Sequence, residues 1–528
     1  MPPIEAVQAE VEPRPAVAPQ FKSSIARNVV SNWAVTASSI VYSLVVTPLV
    51  IRALDRELYG LWSFLNGLLV YSDLLYLGIG IALSKQVARH SVTGNHVAIN
   101  RLASVVLSIL TVVGLLCFLV MTGLSAVVPS LLGSPMAVES ARAATYTCVL
   151  LGVQLFCFFS STTYIAILVG YDRFDLVNLG RLSTLAFRFV LVGVALQASS
   201  PLLGLAILMT IAVMLDFAVV RFLAHRVSHD LELFPVRPRS DELRLLYGFG
   251  LQSFLIQLSS KLISYTDVTV IAVSLGAASV GLYVLPLQLV EYLRIALGGI
   301  SGVLMPRLTG MAMREDVQAL RAAYLQSTRL VAIVAAFIIS NMLWLAVPFL
   351  TIWVGPEFGG PARPIIACLA GATLLHVFSS LVALPFYQAM GIMAMPAKVL
   401  MVEAVVNLVL SVILVRVMGI NGVALATLLP ALLVSFVVLP RYLCSKLSLP
   451  VAALLLHSLL PALLVGLSVA GVQWMLAERV STASYVALLL RALAAVPLAT
   501  LVAMACLSTE ERRWLYARLS DGWRLRLR

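Results

Sequence analysis

Leu54–Leu83, LDRELYGLWSFLNGLLVYSDLLYLGIGIAL, occurs twice in this chain in altered form. Aligned without a gap, it matches Leu275–Leu304, LGAASVGLYVLPLQLVEYLRIALGGISGVL. Gly60 falls on Gly281, Trp62 on Tyr283, Tyr71 on Tyr292 and Gly78 on Gly299. Leucine matches are cheap in so apolar a chain, whereas matched glycines and aromatics are informative. Each copy reads as a short turn feeding a membrane helix with glycines at its far end. Duplicated lobes around a central site are a common plan of secondary transporters. The same alignment sets Asp73 opposite Arg294, two opposite charges at matching depth.

Hydrophobic residues make up 61% and charged residues 11% of the 528 positions, and mean hydropathy is +1.00. Soluble domains carry about 25% charged residues, so an ordinary soluble protein is excluded. The net charge of +12 does not indicate nucleic acid, because the basic residues fall mainly in alternate loops. The six cysteines show no CxxC or Cys/His grouping and read as small buried hydrophobes.

Apolar runs of about 20 residues, each long enough to cross the bilayer as a helix, lie near 29–51, 60–84, 102–128, 144–170, 177–197, 201–223, 247–273, 279–305, 329–354, 363–390, 397–417, 420–440, 451–475 and 484–507. The expected fold is all-α integral membrane, with about 14 transmembrane helices. Two pseudo-symmetric six-helix lobes would enclose a central cavity, with two extra C-terminal helices. With the N-terminus inside, only Arg52, Arg56, Arg142, Arg363, Arg416 and Arg479 fall on the outer side. Most other basic residues are then cytoplasmic, as the positive-inside rule requires, and both termini face the cytoplasm. The divisions are a cytoplasmic tail at 1–27, an N-lobe at 28–224, a linker at 225–246 and a C-lobe at 247–443. The two further spans occupy 444–507, and a basic tail at 508–528 reads either as an amphipathic helix on the inner leaflet or as a solvated segment.

Charge inside a span demands a partner, a wet cavity or a route to the interface. Arg188, Lys261 and Arg294 are candidates for a cationic cavity that receives an anionic headgroup. Their alternative role is to lock helices together as neutralised pairs. Asp73, Asp216, Asp267, Glu291 and Glu403 are the acids available for charge balance or ion coupling. Glu291 and Arg294 are three residues apart and can pair on one helix. Lys261 and Asp267 sit on different faces, and Arg491 can snorkel outward. His376 is either a proton relay or a hydrogen-bonding group between helices. Pro286 is the preferred hinge among the span prolines, and Trp33, Trp62, Trp353 and Trp474 read as interface anchors. There is no Walker-type loop and no metal-ligand spacing, so no cofactor is expected. The outer loops are short for a glycosyltransferase or polymerase, which argues against an enzyme.

The run from Leu54 through Tyr59-Gly60-Leu61, then Asp73 ahead of Leu77-Gly78-Ile79-Gly80, resembles polysaccharide-export flippases. These belong to the multidrug/oligosaccharidyl-lipid/polysaccharide exporter superfamily. Asp267, Leu275-Gly276 and Gly281-Leu282-Tyr283 carry the likeness into the second half. The resemblance implies a V of two lobes in the cytoplasmic (inner) membrane and alternating access. The implied substrate is a polyprenyl-diphosphate-linked oligosaccharide destined for surface polysaccharide such as O-antigen, capsule or exopolysaccharide. Membrane lipids, a polysaccharide polymerase and glycosyltransferases are the implied partners. Arg188, Lys261 and Arg294 would hold the diphosphate, while Asp73, Asp267 and Glu291 balance them or take up a coupling cation. A multidrug exporter, a lipid II flippase and a non-transporting scaffold for glycan assembly are the competing readings. Asp267 keeps the first open, although the first span carries no charge.

Overall fold

A computed structural model describes residues 21–75, 78–127, 138–247, 251–302, 304–507 and Arg512. The expected N-terminal tail, apart from its last residues, and nearly all of the basic C-terminal tail lie outside the described residues. Most of those described are helical, and there is no strand among them. In chain order the helices are α1 (Phe21–Leu75), α2 (Ile79–Val92), α3 (His96–Ser125), α4 (Val138–Gly170), α5 (Phe174–Leu196) and α6 (Pro201–Val227). After the linker come α7 (Ser240–Tyr247), α8 (Leu251–Leu275), α9 (Ala277–Gly302), α10 (Met305–Met313), α11 (Val317–Trp353) and α12 (Ala362–His376). The chain continues as α13 (Ala383–Ala389), α14 (Ala394–Met418), α15 (Ile420–Leu433), α16 (Leu439–Lys446), α17 (Val451–Leu454), α18 (Leu460–Leu476), α19 (Tyr485–Ala494) and α20 (Val496–Cys506).

Twelve of the described helical stretches are long and apolar enough to cross a membrane. The difference from the sequence reading has two physical sources. Ser31–Leu69 counts as one stretch, yet α1 is two helices joined at Asp55, where φ is 60° and ψ is −178°. The Asp55 Oδ1 accepts the backbone N–H groups of Glu57 (2.9 Å) and Leu58 (3.1 Å), which caps the second helix as the first ends. The other source is α8, which has the length of a span but is diluted by Lys261, Asp267 and several polar neighbours.

The duplication is visible in the packing. Among the N-terminal helices α3 packs on α4, α4 on α6, and α5 on both α6 and α1. Among the C-terminal ones α14 packs on α8 and α15, and α12 on α15 and α9. The halves meet where α1 runs against α9 and α8. Gly60 and Gly281, equivalent in the repeat, meet each other there. A Cβ on Gly60 would run into the Ala277 carbonyl and stand 3.2 Å from the Gly281 nitrogen. A Cβ on Gly281 would stand 3.1 Å from the Arg56 carbonyl oxygen. Contact of a residue with its own equivalent is the signature of a twofold axis. The Arg56 Nε also donates to the Ala278 carbonyl across this junction (3.2 Å). Gly276, the repeat partner of Asp55, has φ of 83°, so both copies turn at the same position.

Prolines shape the helices around this frame. Pro48 has no N–H to offer the carbonyl of Leu44, one turn earlier. The Trp353 indole Nε1 of α11 donates to that carbonyl instead (2.7 Å). Trp353 is 4% exposed, so it is a buried cross-brace and not an interface anchor. Trp33 and Trp474 are exposed. Three π-helical turns, Val377–Leu381, Val434–Val438 and Leu455–Leu459, lie just ahead of Pro385, Pro440 and Pro461. Each contains the residue whose carbonyl the proline leaves without its helical donor. Helix α9 runs through Pro286 unbroken. The last helices pack on α11 through α18. There Arg491 is 4% exposed and its Nη2 donates to the Gln473 carbonyl (3.0 Å). It therefore turns inward and does not snorkel, because a carbonyl near the helix end offers a partner inside the protein.

Candidate functional site

Helix α9 presents Gln288, Glu291 and Arg294 at intervals of three residues, a spacing that keeps them near one face. The Arg294 Nη1 donates to Glu291 Oε1 at 3.0 Å and to Ser264 Oγ at 2.9 Å. Its Nε donates to Thr373 Oγ1 at 3.2 Å. A guanidinium has five N–H donors, and these contacts fix its plane across α8, α9 and α12. It opens on a cavity of about 280 Å³ shared with Ser260, Ser264, His376 and Ser380. A second cavity, of about 400 Å³, is lined by Tyr42, Trp62 and Tyr265 together with Ser43, Asn66 and Gln288. Glu291 lines both cavities. A fixed cation thus adjoins an aromatic and hydroxyl-bearing chamber, with one carboxylate at their junction.

Arg294 lines a cavity wall, whereas Arg188 and Lys261 line neither of these two cavities. Lys261 Nζ lies 5.4 Å over the ring of Tyr265, which lines the larger chamber. Arg188 on α5 lies within electrostatic reach of Tyr42 and of Asp216 on α6. Its Nε and the Tyr42 hydroxyl are both buried without a hydrogen-bond partner. Asp216 feels Arg181 as well as Arg188, and its Oδ1 accepts from Thr184 at 3.5 Å.

The remaining acids sort by partner. Asp267 is 1% exposed and accepts from the hydroxyls of Tyr283 (2.6 Å), Thr427 (2.9 Å) and Ser411 (3.3 Å). Asn407 extends this set through Thr427 (3.1 Å). Glu403, equally buried, accepts from Ser435 through both oxygens (3.2 and 3.0 Å). His376 Nε2 lies 3.3 Å from its Oε1. The histidine therefore links the wall of the Arg294 cavity to a buried carboxylate. The side chain of Asp73 lies outside the described residues, so its pairing with Arg294 stays an expectation. Sequence reasoning missed the neutral partners Ser264, Thr373, Thr427 and Ser435, along with the cavity residues Asn66 and Gln288. The available signal was polar residues spaced four apart inside apolar spans, such as Asn407 and Ser411.

Comparison with known proteins agrees with this architecture. The family described as polysaccharide biosynthesis protein matches residues 25–312, more than half of the chain. The chain belongs to this family. A curated relative, the uncharacterized membrane protein EpsK of Bacillus subtilis (strain 168), is 28% identical over 202 residues. That alignment covers 37% of this chain and 39% of EpsK, so well under half of that relative is matched. Among solved structures, an inward-facing multidrug resistance MATE family transporter of the MOP superfamily matches with a TM-score of 0.64 at 15% identity. The match covers 76% of this chain and 95% of the other. The lipid II flippase MurJ, in an inward closed conformation, matches with a TM-score of 0.57 at 13% identity, covering 85% and 96%. The protein is a multi-pass membrane protein with the fold of these transporters. These two neighbours are described as a transporter and a flippase.

Proposed function

We propose that this protein carries a polyprenyl-diphosphate-linked oligosaccharide across the cytoplasmic membrane by alternating access, for surface polysaccharide synthesis. The supporting observation is Arg294, braced by Ser264, Thr373 and Glu291, beside a chamber lined with aromatic rings, hydroxyls and amides. A diphosphate calls for a fixed guanidinium, and a sugar calls for polar groups set among aromatic and apolar walls. The polyprenyl tail can remain in the bilayer. In this reading Arg294 meets the diphosphate, while Arg188 and Lys261 add positive potential from behind the walls. Asp267 and Glu403 are the buried acids available to an ion that drives the cycle. Asp216 balances Arg188, and Asp73 belongs to the same charge-balance set. Both termini face the cytoplasm in this scheme, as the distribution of Lys and Arg favours.

The test uses a strain lacking the protein, complemented with the native chain or with Arg294→Gln. Lipids are extracted, and the polyprenyl-diphosphate glycan is identified by mass spectrometry and assigned to a leaflet. The expected result is a complete glycan unit accumulating toward the cytoplasm in the deletion and in Arg294→Gln, cleared by the native chain. Normal surface polysaccharide with heightened sensitivity to cationic dyes would instead identify a multidrug exporter.

A further inference from the structure

We infer that the chamber beside Arg294 is a sugar subsite that accepts neutral or amino-bearing sugars and rejects acidic ones. The inference rests on the flippase reading above and names the chemistry of its glycan. A sugar ring has an apolar face of C–H groups and a rim of hydroxyls. Tyr42, Trp62 and Tyr265 supply flat apolar surface for the face. Ser43, Asn66 and Gln288 supply polar atoms for the rim. Aromatic walls with a few placed polar groups are the usual make-up of a small-molecule site.

The orientation of the two amides sets the selectivity. Gln288 Nε2 donates to Ser43 Oγ and to the Tyr292 hydroxyl, so both of its N–H groups are committed within the protein. Asn66 Nδ2 donates to the Trp62 carbonyl at 2.8 Å. Gln288 is left with its carbonyl oxygen to offer a ligand, and Asn66 with its carbonyl oxygen and one N–H. Glu291 is the charged residue among those described as lining the chamber, and no Lys or Arg is among them. The neighbouring Arg294 lines the smaller cavity and not this chamber, and is the group assigned to the diphosphate. The chamber therefore offers acceptors at Gln288, Asn66 and Glu291. Hydroxyl and ammonium groups can donate to it, whereas an ionised carboxylate only accepts. A uronic acid placed there would lose its water, meet no Lys or Arg among the lining residues and face Glu291, an unpaired charge of the kind that discriminates against a ligand.

The experiment uses the full chain in proteoliposomes with four synthetic probes. These are a bare polyprenyl diphosphate and the same carrier bearing one hexose, one aminohexose or one hexuronic acid. Transbilayer movement is read by the access of an impermeant reagent added outside. The hexose and aminohexose carriers are expected to move at least about tenfold faster than the hexuronic acid carrier, a difference equivalent to one lost pairing. Trp62→Ala is expected to raise the KM for the hexose carrier about tenfold, more than it slows the bare carrier, and Trp62→Phe to restore most of that loss. Glu291→Gln is expected to narrow the gap between hexose and hexuronic acid. Equal movement of all three sugars would overturn the inference while leaving the flippase reading intact. Equal slowing of the bare carrier by Trp62→Ala would also overturn it, because the residue would then act on the whole protein. Failure of the native chain to move any probe would remove the flippase reading and this inference together.

Discussion

The two copies of the repeat share a backbone and differ in what they do with it. In the first copy Trp62 and Asn66 line the larger chamber. In the second copy the equivalent of Trp62 is Tyr283, fully buried, whose hydroxyl donates to Asp267. The first copy turns at Asp55, whose carboxylate compensates for a positive φ by capping the next helix. The second turns at Gly276, which adopts its φ of 83° without a Cβ to strain it. They remain identical at Gly60 and Gly281, where they touch. On an axis each residue packs against its own counterpart, so enlarging either one wedges both copies apart. Away from the axis the neighbours differ, and side chains are free to take separate tasks.

The largest expected effect comes from breaking the axis itself. Gly60→Ala places a methyl against backbone that cannot move aside, at a cost of about 1–3 kcal/mol and with loss of complementation in the deletion strain. Gly298→Ala is the matched control, since nothing lies within 4 Å of its Cβ. Thermal unfolding of the two variants in detergent should separate them clearly, and equal melting would remove the axial contact as a structural determinant. A smaller effect sharpens the difference between copies. Tyr283→Phe deprives a buried carboxylate of a donor and should cost about 2 kcal/mol, whereas Trp62→Phe should leave unfolding nearly unchanged. If both substitutions destabilise alike, the division of labour between the copies is wrong.

The smallest effect belongs to the linker that joins the halves. Its backbone lies along α3, with Phe234 N–H donating to Ser104 Oγ (3.2 Å) and Val236 N–H to Ser108 Oγ (2.9 Å). Arg101 on α3 pairs with Glu242 on α7 at 2.8 Å. Partial burial pushes the Glu242 carboxyl up, but the Arg101 hydrogen bond and the Arg239 backbone N–H outweigh it and hold the group below its usual value. A carboxylate lowered in the folded state stabilises the fold above its unfolded pKa of about 4.3, and that contribution is lost as pH falls through the folded value. Native protein should therefore lose up to about 1 kcal/mol more than Glu242→Gln as pH drops from neutral through 4. High salt should shrink the difference, and superimposable pH profiles would show that the pair contributes nothing.

Much of the fold was legible in the sequence because hydrocarbon imposes its demands residue by residue. Span length, the excess of Lys and Arg in alternate loops and the glycines of the repeat all follow from local composition. The Glu291–Arg294 pair was legible too, since a separation of three residues on a helix nearly dictates contact. Arg188, Lys261 and Arg294 carry equal charge in apolar spans, and nothing local distinguishes the one that lines a described cavity. That outcome depends on how each helix is rotated against its neighbours. Likewise Pro48 announces a freed carbonyl, but only the tertiary structure names Trp353, more than three hundred residues away, as its donor. Arg491 turned inward because the Gln473 carbonyl was placed within reach by packing. The sequence by itself determined a duplicated, all-helical membrane protein and the identity of its intramembrane charges. Only the packing of helix on helix decided which charges meet a cavity, because partners in hydrocarbon are chosen by proximity across helices and not along them.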